Sequence, residues 1–323
     1  PLFRFPRKKH AFLFCIVSDL YYLCSINQYT QLLQYQKYTQ MRVLIVNTSE
    51  KTGGAAVAAN RLMDALNNNG VKAKMLVRDK ETEDITVVSL PRSLRLQWNF
   101  LWERWCVFWH LHFSRQRLWE VDMATSGTDI TRLREFQEAD VIHLSWINQG
   151  MLSLKNIRKI IRSGKPVVWT MHDLWPATGI CHYARGCNRY ASACGNCPLL
   201  PNKGSKNDLS AKIFRRKKEL YHRGAISFVT CSRWLERQAK GSGLFVGQRI
   251  TNIPNPIDTH VFCPQDQAEA RLRAGLPADK HIILFVSQRV TDERKGMRYF
   301  IEAIDRLVAR YPEMKENTAI EIG

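Results

Sequence analysis

Short apolar runs that end in a polar residue alternate along this chain with longer segments of helical periodicity. Continuous apolar runs of this length, rich in valine and isoleucine, are typical of strands buried on both faces of a parallel sheet. The segments between them place apolar residues at spacings of three and four, the pattern of an amphipathic helix. The pattern therefore predicts an α/β fold, with strands at residues 41–47, 71–77, 85–89, 140–146, 167–171, 226–231 and 249–253.

A second α/β region follows the turn-forming residues Pro254, Asn255 and Pro256. We therefore predict two Rossmann-like domains, at residues 41–254 and 255–323, the first of which carries a cysteine-rich loop at 174–204. The second domain ends one strand after its crossover helix, so we expect it to be a truncated, incomplete lobe. Its predicted elements are helices at 267–274 and 297–311 and strands at 281–287 and 319–322.

Residues 1–40 differ in character from the rest of the chain. They begin with Pro1, and the first methionine is Met41. The apolar run at 11–17 follows basic residues as in a secretory signal, but Asp19 interrupts it and no small-residue cleavage site follows. We interpret the segment as extraneous or disordered sequence ahead of a start at Met41. The alternative is a short membrane anchor.

The strand at 167–171 brings His172 and Asp173 to its carboxyl end, where open α/β sheets bind their ligands. An imidazole and a carboxylate in this position can transfer protons or bind the hydroxyl groups of a sugar. The alternative is structural, with an aspartate that caps the next turn beside a histidine that is satisfied within the fold. We take His172 and Asp173 as candidate catalytic residues.

A cluster of thiols follows in the loop at 174–204, and four thiolates satisfy the ligand count of a structural zinc site. Its last two members form a CxxC knuckle, but the spacings C-x5-C and C-x6-C before it are wider than is usual in zinc modules. His182 is an alternative to one thiol, and four free, partly buried thiols are the alternative to a metal. The candidate ligands are Cys181, Cys187, Cys194 and Cys197.

The cysteine content also bears on the compartment. Nine cysteines in a chain without a credible secretory signal indicate a reducing compartment, and therefore thiols or metal ligands rather than disulfides.

Two further stretches carry groups suited to phosphate. Gly53 and Gly54 separate the first strand from an alanine-rich helix, so backbone N–H groups at the helix start can point at a phosphate or sugar. The spacing is not the GxGxxG fingerprint of nicotinamide enzymes. Arg289 and Lys295 flank the turn between the strand at 281–287 and the next helix, and two cations beside a helix N-terminus suit a diphosphate.

The net charge of +19 indicates a partner that carries phosphate, such as a nucleotide, a nucleic acid or an anionic membrane surface. Residues 92–119 contain five tryptophans, and apolar residues recur there at the spacings of three and four of an amphipathic helix. The sequence assigns a basic face to Arg92, Arg95, Arg104, Arg115 and Arg117. Tryptophans and arginines on one helix are typical of a helix that lies in a membrane interface. The alternative is a helix whose apolar face packs on its own domain.

From Met41 onward the sequence resembles the family 4 glycosyltransferases of the GT-B fold, in particular bacterial enzymes that assemble exopolysaccharide and lipopolysaccharide. The stretch HDLWPATGICHY with its trailing cysteines is similar to a feature of one polysaccharide-building subgroup. The other matching motifs are Gly53-Gly54-Ala55, Thr170-Met171-His172-Asp173, Asn255-Pro256-Ile257-Asp258 and the block from Ser287-Gln288-Arg289 through Lys295-Gly296.

The resemblance implies a retaining glycosyltransferase, which moves a sugar from a nucleotide diphosphate donor to a saccharide acceptor that we expect to be lipid-linked. It implies that Arg289 and Lys295 hold the donor diphosphate and that His172 lies at the donor sugar. It also implies that Gly53 and Gly54 approach the donor phosphates or the acceptor through their backbone. The chemistry implied needs no metal, so any zinc would be structural.

For the location, the resemblance and the basic aromatic helix together predict a cytoplasmic enzyme, peripheral on the inner face of the plasma membrane. The expected partners are the nucleotide diphosphate sugar, the acceptor and an anionic membrane surface, but no nucleic acid.

The sequence departs from the family in one respect. The family carries a glutamate pair, E-x7-E, further along the second domain, where it grips the donor sugar and ribose. Glu313 and Glu321 lie too early, on the wrong elements, to be that pair. We therefore expect the 323-residue chain by itself to have little or no transferase activity.

Two readings from other classes stand beside this one. The first is a zinc-containing nucleic-acid-binding protein. The distribution of the basic residues argues against it, because they are dispersed over several elements. The second is a non-catalytic GT-B-like subunit.

Overall fold

The computed structural model of the chain describes residues 41–91, 93–287 and 290–323. The segment 1–40, predicted to be extraneous or disordered, lies outside the described residues, and so does Arg289. The chain divides into two compact units, one ending at Asp258 and the other running from Thr259 to Gly323. The sequence-based boundary was drawn at 254/255.

A seven-stranded parallel sheet forms the centre of the first unit, in the spatial order β3-β2-β1-β4-β5-β6-β7. Each strand predicted in this part of the chain is present, and the α/β class is confirmed. The order reverses between β1 and β4, which creates a topological switch point. The strands are β1 (Arg42–Val46), β2 (Lys72–Val77), β3 (Val87–Ser89), β4 (Val141–Leu144), β5 (Val167–Met171), β6 (Ile226–Thr230) and β7 (Arg249–Asn252).

Both faces of this sheet are buried, and β1 shows why its strands are apolar throughout. Leu44 and Val46 belong to one buried cluster, whereas Val43 and Ile45 belong to another. Because successive side chains of a strand point to opposite faces, the two clusters lie on opposite sides of the sheet. A strand covered on both sides has no polar face, and its sequence shows no alternation.

Helices connect the strands of the first unit, and several of them begin at a residue whose side chain caps the first turn. The side chains of Ser153, Asp208 and Ser232 each accept a hydrogen bond from a backbone N–H in the first turn of the helix that follows. The helices are α1 (Gly54–Asn68), α2 (Leu94–His110), α3 (Arg134–Glu138), α4 (Leu154–Arg162), α5 (Leu209–His222) and α6 (Arg233–Lys240).

An aromatic cluster fixes the carboxyl end of β5. Trp169 stacks on Phe228 of β6 with 5.8 Å between ring centroids and meets Tyr221 of α5 edge-on at 6.1 Å. Its indole Nε1 donates a hydrogen bond to the carbonyl of Ser145, 3.2 Å away. The strand end that carries the predicted catalytic pair is therefore held by packing from two neighbouring strands and a helix.

Helix α2 turns its aromatic side outward. Its tryptophans at 98, 102, 105 and 109 are 51–63% exposed, and the residues it buries are Glu103, Arg104 and Val107. Val107 and Cys106 of the same helix pack on the core of the first unit. The alternative, packing of the helix on its own domain, therefore holds for that side and not for the four tryptophans. Arg104, assigned from the sequence to a basic outer face, instead forms a buried ion pair with Asp122.

The second unit contains a parallel pair of strands, β8 (His281–Phe285) and β9 (Thr318–Ile322). Its helices are α7 (Gln267–Ala274), α8 (Met297–Arg310) and α9 (Met314–Asn317). Strand, helix α8 and parallel strand form the βαβ unit predicted from the apolar pattern. Across the described ranges of both units, no helix combines the length and the hydrophobicity needed to cross a membrane.

Candidate active site at the carboxyl edge of the sheet

The segments that follow β1 and β4 are tied together at the carboxyl edge of the sheet. The backbone N–H and the hydroxyl of Thr48 both donate to the carbonyl of Trp146, at 2.8 and 3.0 Å. The backbone N–H of Trp146 in turn donates to Oδ1 of Asn47 at 2.9 Å. Because the strand order reverses between β1 and β4, these segments border the crevice in which open α/β sheets bind ligands.

Asp173, at the end of β5, is fully engaged within the protein. Its Oδ2 accepts hydrogen bonds from His182 Nδ1 at 2.7 Å and from Trp146 Nε1 at 3.0 Å, and its Oδ1 accepts one from the backbone N–H of Trp175 at 2.8 Å. Burial alone would raise the pKa of Asp173, but the attraction of His182 and these three hydrogen bonds outweigh it and lower the pKa. Asp173 is thus an ionised carboxylate that positions its neighbours.

His172, one residue earlier, is in the opposite situation. Its imidazole is only partly buried, and it makes no hydrogen bond to any other residue that the structure describes. Burial lowers the pKa of His172 against the attraction of Asp173, so the ring is neutral at neutral pH. A neutral imidazole without an internal partner has both a donor and an acceptor available for a ligand.

His143 of β4 lies close enough to His172 for the two rings to interact electrostatically. It is fully buried, its Nε2 is 2.8 Å from the hydroxyl of Thr170, and its Nδ1 has no hydrogen-bond partner among the described residues. Burial, with a contribution from His172, lowers the pKa of His143 to about 3. Sequence reasoning did not single out His143, because a histidine within the strand pattern of 140–146 gives no sign that it lies near a site.

His182 lies in the cysteine-rich loop, and its side chain contacts the carboxyl end of β5. Its Nδ1 contacts Asp173, and its ring lies 5.8 Å from that of Trp146, centroid to centroid. His182 thus joins the loop to the carboxyl edge of the sheet. The sequence-based alternative, that His182 replaces one thiol as a metal ligand, stays a prediction.

A buried charge network links α2 to the same edge. Arg104 Nη2 donates to Asp122 Oδ2 at 2.8 Å, and that oxygen also accepts from the backbone N–H of Gln149, which follows β4. The backbone carbonyl of Asp122 accepts from Trp175 Nε1 at 2.8 Å. Glu103 lies beside them, and burial together with Asp122 raises its pKa to about 7. Sequence reasoning missed this network, since it assigned the charges of α2 to the surface.

Gly53 and Gly54 lie at the open start of α1. Gly53 has φ +90°, a conformation that favours glycine, and a Cβ added to either residue would meet no described atom within 4 Å. No described side chain caps this helix, whose first turn also lacks an acidic residue. The first N–H groups of α1 are therefore free to bind an anion or a sugar hydroxyl.

Lys295 lies in the second unit, directly before the Gly296 that begins α8. Arg294, its neighbour, is paired with Asp292 at 2.5 Å. Lys295 is exposed and forms no ion pair with a described residue, and no described side chain caps α8. The second predicted phosphate ligand, Arg289, lies outside the described residues.

The four candidate zinc ligands border one small cavity in the first unit. Cys197 is buried, and Cys181, Cys187 and Cys194 are partly buried. Among the described residues, no group of three or more His, Cys, Asp or Glu side chains is arranged so that it could hold a metal ion. The structure thus brings the four thiols to one cavity, but their present side-chain arrangement is not that of a metal site.

The family model of glycosyltransferase family 4 matches residues 52–261, which is 210 of the 323 residues. The chain therefore belongs to glycosyltransferase family 4. The predicted family is confirmed. The chain has two α/β units, each with parallel strands, which agrees with the predicted GT-B class.

Curated relatives match over shorter stretches. A protein named as a glycosyl transferase of colanic acid biosynthesis, WcaC of Escherichia coli K12, is 32% identical over 85 residues, 25% of this chain and 20% of its own length. A phosphatidyl-myo-inositol mannosyltransferase of Mycolicibacterium smegmatis is 31% identical over 111 residues, 33% of this chain and 25% of its own length. The matches thus span a quarter or less of these relatives.

Among solved structures, Anabaena Alr3699/HepE in complex with UDP and glucose aligns at 12% identity and a TM-score of 0.41, covering 88% of this chain and 70% of that one. A UDP-forming α,α-trehalose-phosphate synthase from Burkholderia xenovorans aligns at 12% identity and a TM-score of 0.46, covering 88% of this chain and 64% of that one.

Proposed function

We propose that this protein transfers a sugar, with retention of configuration, from a nucleotide diphosphate sugar to a lipid-linked saccharide during polysaccharide biosynthesis. The observation that carries the proposal is His172, a partly accessible imidazole without a described partner, at the carboxyl edge of the sheet in a family 4 chain. WcaC, the relative named for colanic acid biosynthesis, supports the polysaccharide pathway.

His172 binds a hydroxyl of the donor sugar in this proposal. A neutral imidazole can accept the hydroxyl proton at one nitrogen and donate from the other, and the lowered pKa keeps it in that form. Asp173 acts as a positioning residue rather than as an acid or base, since its oxygens already accept three hydrogen bonds. The pair predicted as catalytic thus divides into a ligand-binding histidine and an aspartate that fixes the strand end.

Lys295 binds the donor diphosphate, together with Arg289. When the bond between the sugar and the diphosphate breaks, negative charge grows on the leaving group, and a fixed cation lowers the energy of that step. The uncapped start of α8 adds the partial positive charge of a helix N-terminus. Lys295 is free for this role because the neighbouring pair of Arg294 and Asp292 leaves it without an ion pair among the described residues.

Gly53 and Gly54 bind the acceptor or the donor phosphates through the backbone. The support is the uncapped start of α1 and the open space around both α-carbons. A side chain at either position would fill the space through which a ligand reaches the N–H groups.

The aromatic face of α2 attaches the protein to the anionic inner face of the plasma membrane, where a lipid-linked acceptor resides. Half-exposed tryptophans beside arginines suit the boundary between lipid headgroups and acyl chains. Each Lys or Arg near an anionic leaflet adds about 1 kcal/mol, and the net charge of +19 favours that leaflet. This places the protein in the cytoplasm, peripheral to the membrane.

The test follows sugar transfer directly. Protein purified from the cells that make it is incubated with labelled nucleotide diphosphate sugars, one at a time, and with a membrane fraction that supplies acceptors. We expect label in the lipid extract with one donor and, by NMR, the anomeric configuration of that donor. The 323-residue chain produced alone is assayed beside it, which tests the expected lack of activity.

His172→Ala is expected to lower the transfer rate roughly 10- to 100-fold, since leaving a buried polar group without its hydrogen-bond partner costs about 1–3 kcal/mol. His222→Ala, at the exposed end of α5, is the matched control and leaves the rate unchanged. If the wild-type protein transfers no sugar from any donor, the enzymatic function is overturned in favour of the non-catalytic subunit. A gel shift with DNA tests the nucleic-acid-binding alternative, and we expect none.

A further inference from the structure

The cysteine-rich loop encloses a cavity of about 20 Å³ whose border includes Cys181, Cys187, Cys194 and Cys197. A site of roughly 10–15 Å³ is the least that accommodates one water-sized guest, so this cavity has room for about one small ligand. Cysteines up to sixteen positions apart in the sequence thus border the same small cavity.

The backbone around the cavity is held in place by the start of α5. Asp208 Oδ2 accepts a hydrogen bond from the backbone N–H of Cys197 at 2.8 Å, while its Oδ1 caps the helix at Ala211. The hydroxyl of Ser210 accepts from the N–H of Gly195 at 3.0 Å. Because Gly195 has φ +103° and an added Cβ would meet the Lys206 carbonyl at 2.7 Å, the knuckle depends on this glycine.

Helix α5 also places a buried cation next to this cavity. Lys217 has 0% of its surface exposed, and its Nζ donates to the carbonyls of Trp175 and Thr178 at 2.6 and 3.1 Å. Among the described residues, no carboxylate lies within ion-pair distance of this Nζ. The Nζ also lies 3.3 Å from the centroid of the Trp175 ring. The ionisable groups close enough to act on Lys217 electrostatically include Cys181, Cys194, Asp122 and Asp173.

Burial of an ammonium ion is costly, because the ion loses its hydration. The two carbonyls, the Trp175 ring and the carboxylates of Asp122 and Asp173 offset part of that cost. Four neutral thiols would add nothing, since they carry no charge. Four thiolates around a divalent cation would carry a net charge of about −2 and would add an anion near Lys217.

We infer that Cys181, Cys187, Cys194 and Cys197 bind one structural zinc ion, with Lys217 as the buried countercharge. On binding, four thiols release four protons to solvent and four Zn–S bonds form, with no oxidant or reductant required. The inference requires the thiol side chains to rearrange when the metal binds, since no described set of ligands could hold a metal ion in its present arrangement. The inference stands apart from the proposed function.

Metal analysis of the wild-type protein is the first test, because it needs no variant to fold. We expect one zinc per chain in protein purified under reducing conditions without added chelator. Exchange with cobalt should give the visible absorption of tetrahedral cobalt with thiolate ligands. A zinc content below one tenth per chain after zinc-supplemented growth, or two disulfides found by mass spectrometry of the peptides, would overturn the inference.

Variants then assign the ligands. Replacing each of the four cavity cysteines by serine is expected to lower the bound zinc at least tenfold, whereas Cys231→Ser and Cys106→Ser, outside the cavity, leave it at one per chain. Where a serine variant is insoluble, the cobalt spectrum of the wild type still decides the coordination. A cavity variant that keeps full zinc and an unchanged cobalt spectrum would refute its cysteine as a ligand and so the four-cysteine site.

The countercharge is tested by Lys217→Met, with the exposed Lys218→Met on the same helix as control. Groups behind a metal site typically change metal affinity 10- to 100-fold when removed. We expect Lys217→Met to release zinc to a competing chelator at about tenfold lower chelator concentration than the wild type or the control does. Equal release from both variants would remove Lys217 from the site.

Discussion

Asp173 accepts a 2.7 Å hydrogen bond from Nδ1 of His182, and this contact joins the end of β5 to the cysteine-rich loop. Both side chains are less than 10% exposed. The carboxylate that follows the predicted catalytic histidine therefore holds the loop, whereas His172 makes no hydrogen bond to a described residue. Two adjacent residues of one motif thus have different surroundings, which agrees with the different roles that we propose for them.

Asp173→Asn should destabilise the protein. The amide replaces an ionised acceptor that faces His182 and Trp146, and breaking a buried pair of this kind costs about 3–5 kcal/mol. Urea unfolding measures the change in the free energy of unfolding. Glu135→Gln is the control, because this partly exposed side chain on α3 makes no hydrogen bond or ion pair with a described residue, and it should change the free energy by less than about 0.5 kcal/mol. A change of that small size for Asp173→Asn would show that the contact is not structural.

The carboxylate of Asp173 also predicts how the free energy of unfolding changes at acid pH. The pKa of Asp173 is lowered in the folded protein, so its contribution is present above its unfolded pKa of about 3.9 and is lost as the pH falls through the folded value. The difference in stability between the wild type and Asp173→Asn should therefore shrink as the pH drops below about 4. A constant difference from pH 7 to pH 3 would contradict this assignment.

Glu103 predicts that the free energy of unfolding falls, rather than rises, with increasing pH. Burial and the nearby Asp122 raise its pKa to about 7, from an unfolded value of about 4.3, so the folded state binds this proton more tightly. The free energy of unfolding should thus fall as the pH rises from about 4.3 to about 7. Glu103→Gln cannot titrate and should flatten this slope in melting curves recorded across that range, whereas Glu135→Gln should keep it.

Lys295→Ala should weaken the binding of nucleotide diphosphates about tenfold or more, since a charge-assisted hydrogen bond contributes about 1.5–3 kcal/mol. Calorimetric titration with UDP and with GDP measures the loss. Lys315→Ala, an exposed lysine elsewhere in the second unit, is the matched control. Equal affinity of the two variants would exclude Lys295 as a diphosphate ligand.

Replacing Trp98 and Trp105 by alanine should weaken binding to vesicles that contain anionic lipid at least tenfold. About half of each side chain is exposed, and roughly 100 Å² of apolar surface moved out of water contributes about 2.5 kcal/mol. Co-sedimentation measures the bound fraction. Trp234→Ala is the control, because this exposed tryptophan lies on α6, and binding that depends equally on Trp234 would speak against the α2 surface.

The parallel sheet was readable from the sequence, because burial on both faces forces apolar residues at every position of a strand. Motif residues were also readable, since glycines before a helix and a His-Asp pair after a strand are local features. The sequence did not show whether the aromatic face of α2 points into the domain or outward. Its apolar periodicity is the same whether tryptophans cover a core or meet a membrane, and Arg104 becomes a buried ion only because Asp122 lies opposite it.

By itself, then, the sequence determined the order of strands and helices, the strand ends at which we propose that ligands bind and the family to which the chain belongs. Those properties depend on residues close together in the chain. The tertiary structure alone decided that Asp173 meets His182, that His172 has no hydrogen-bond partner among the described residues and that four thiols border one cavity. Such pairings depend on which surfaces pack against each other in the folded protein, and local periodicity does not predict those long-range contacts.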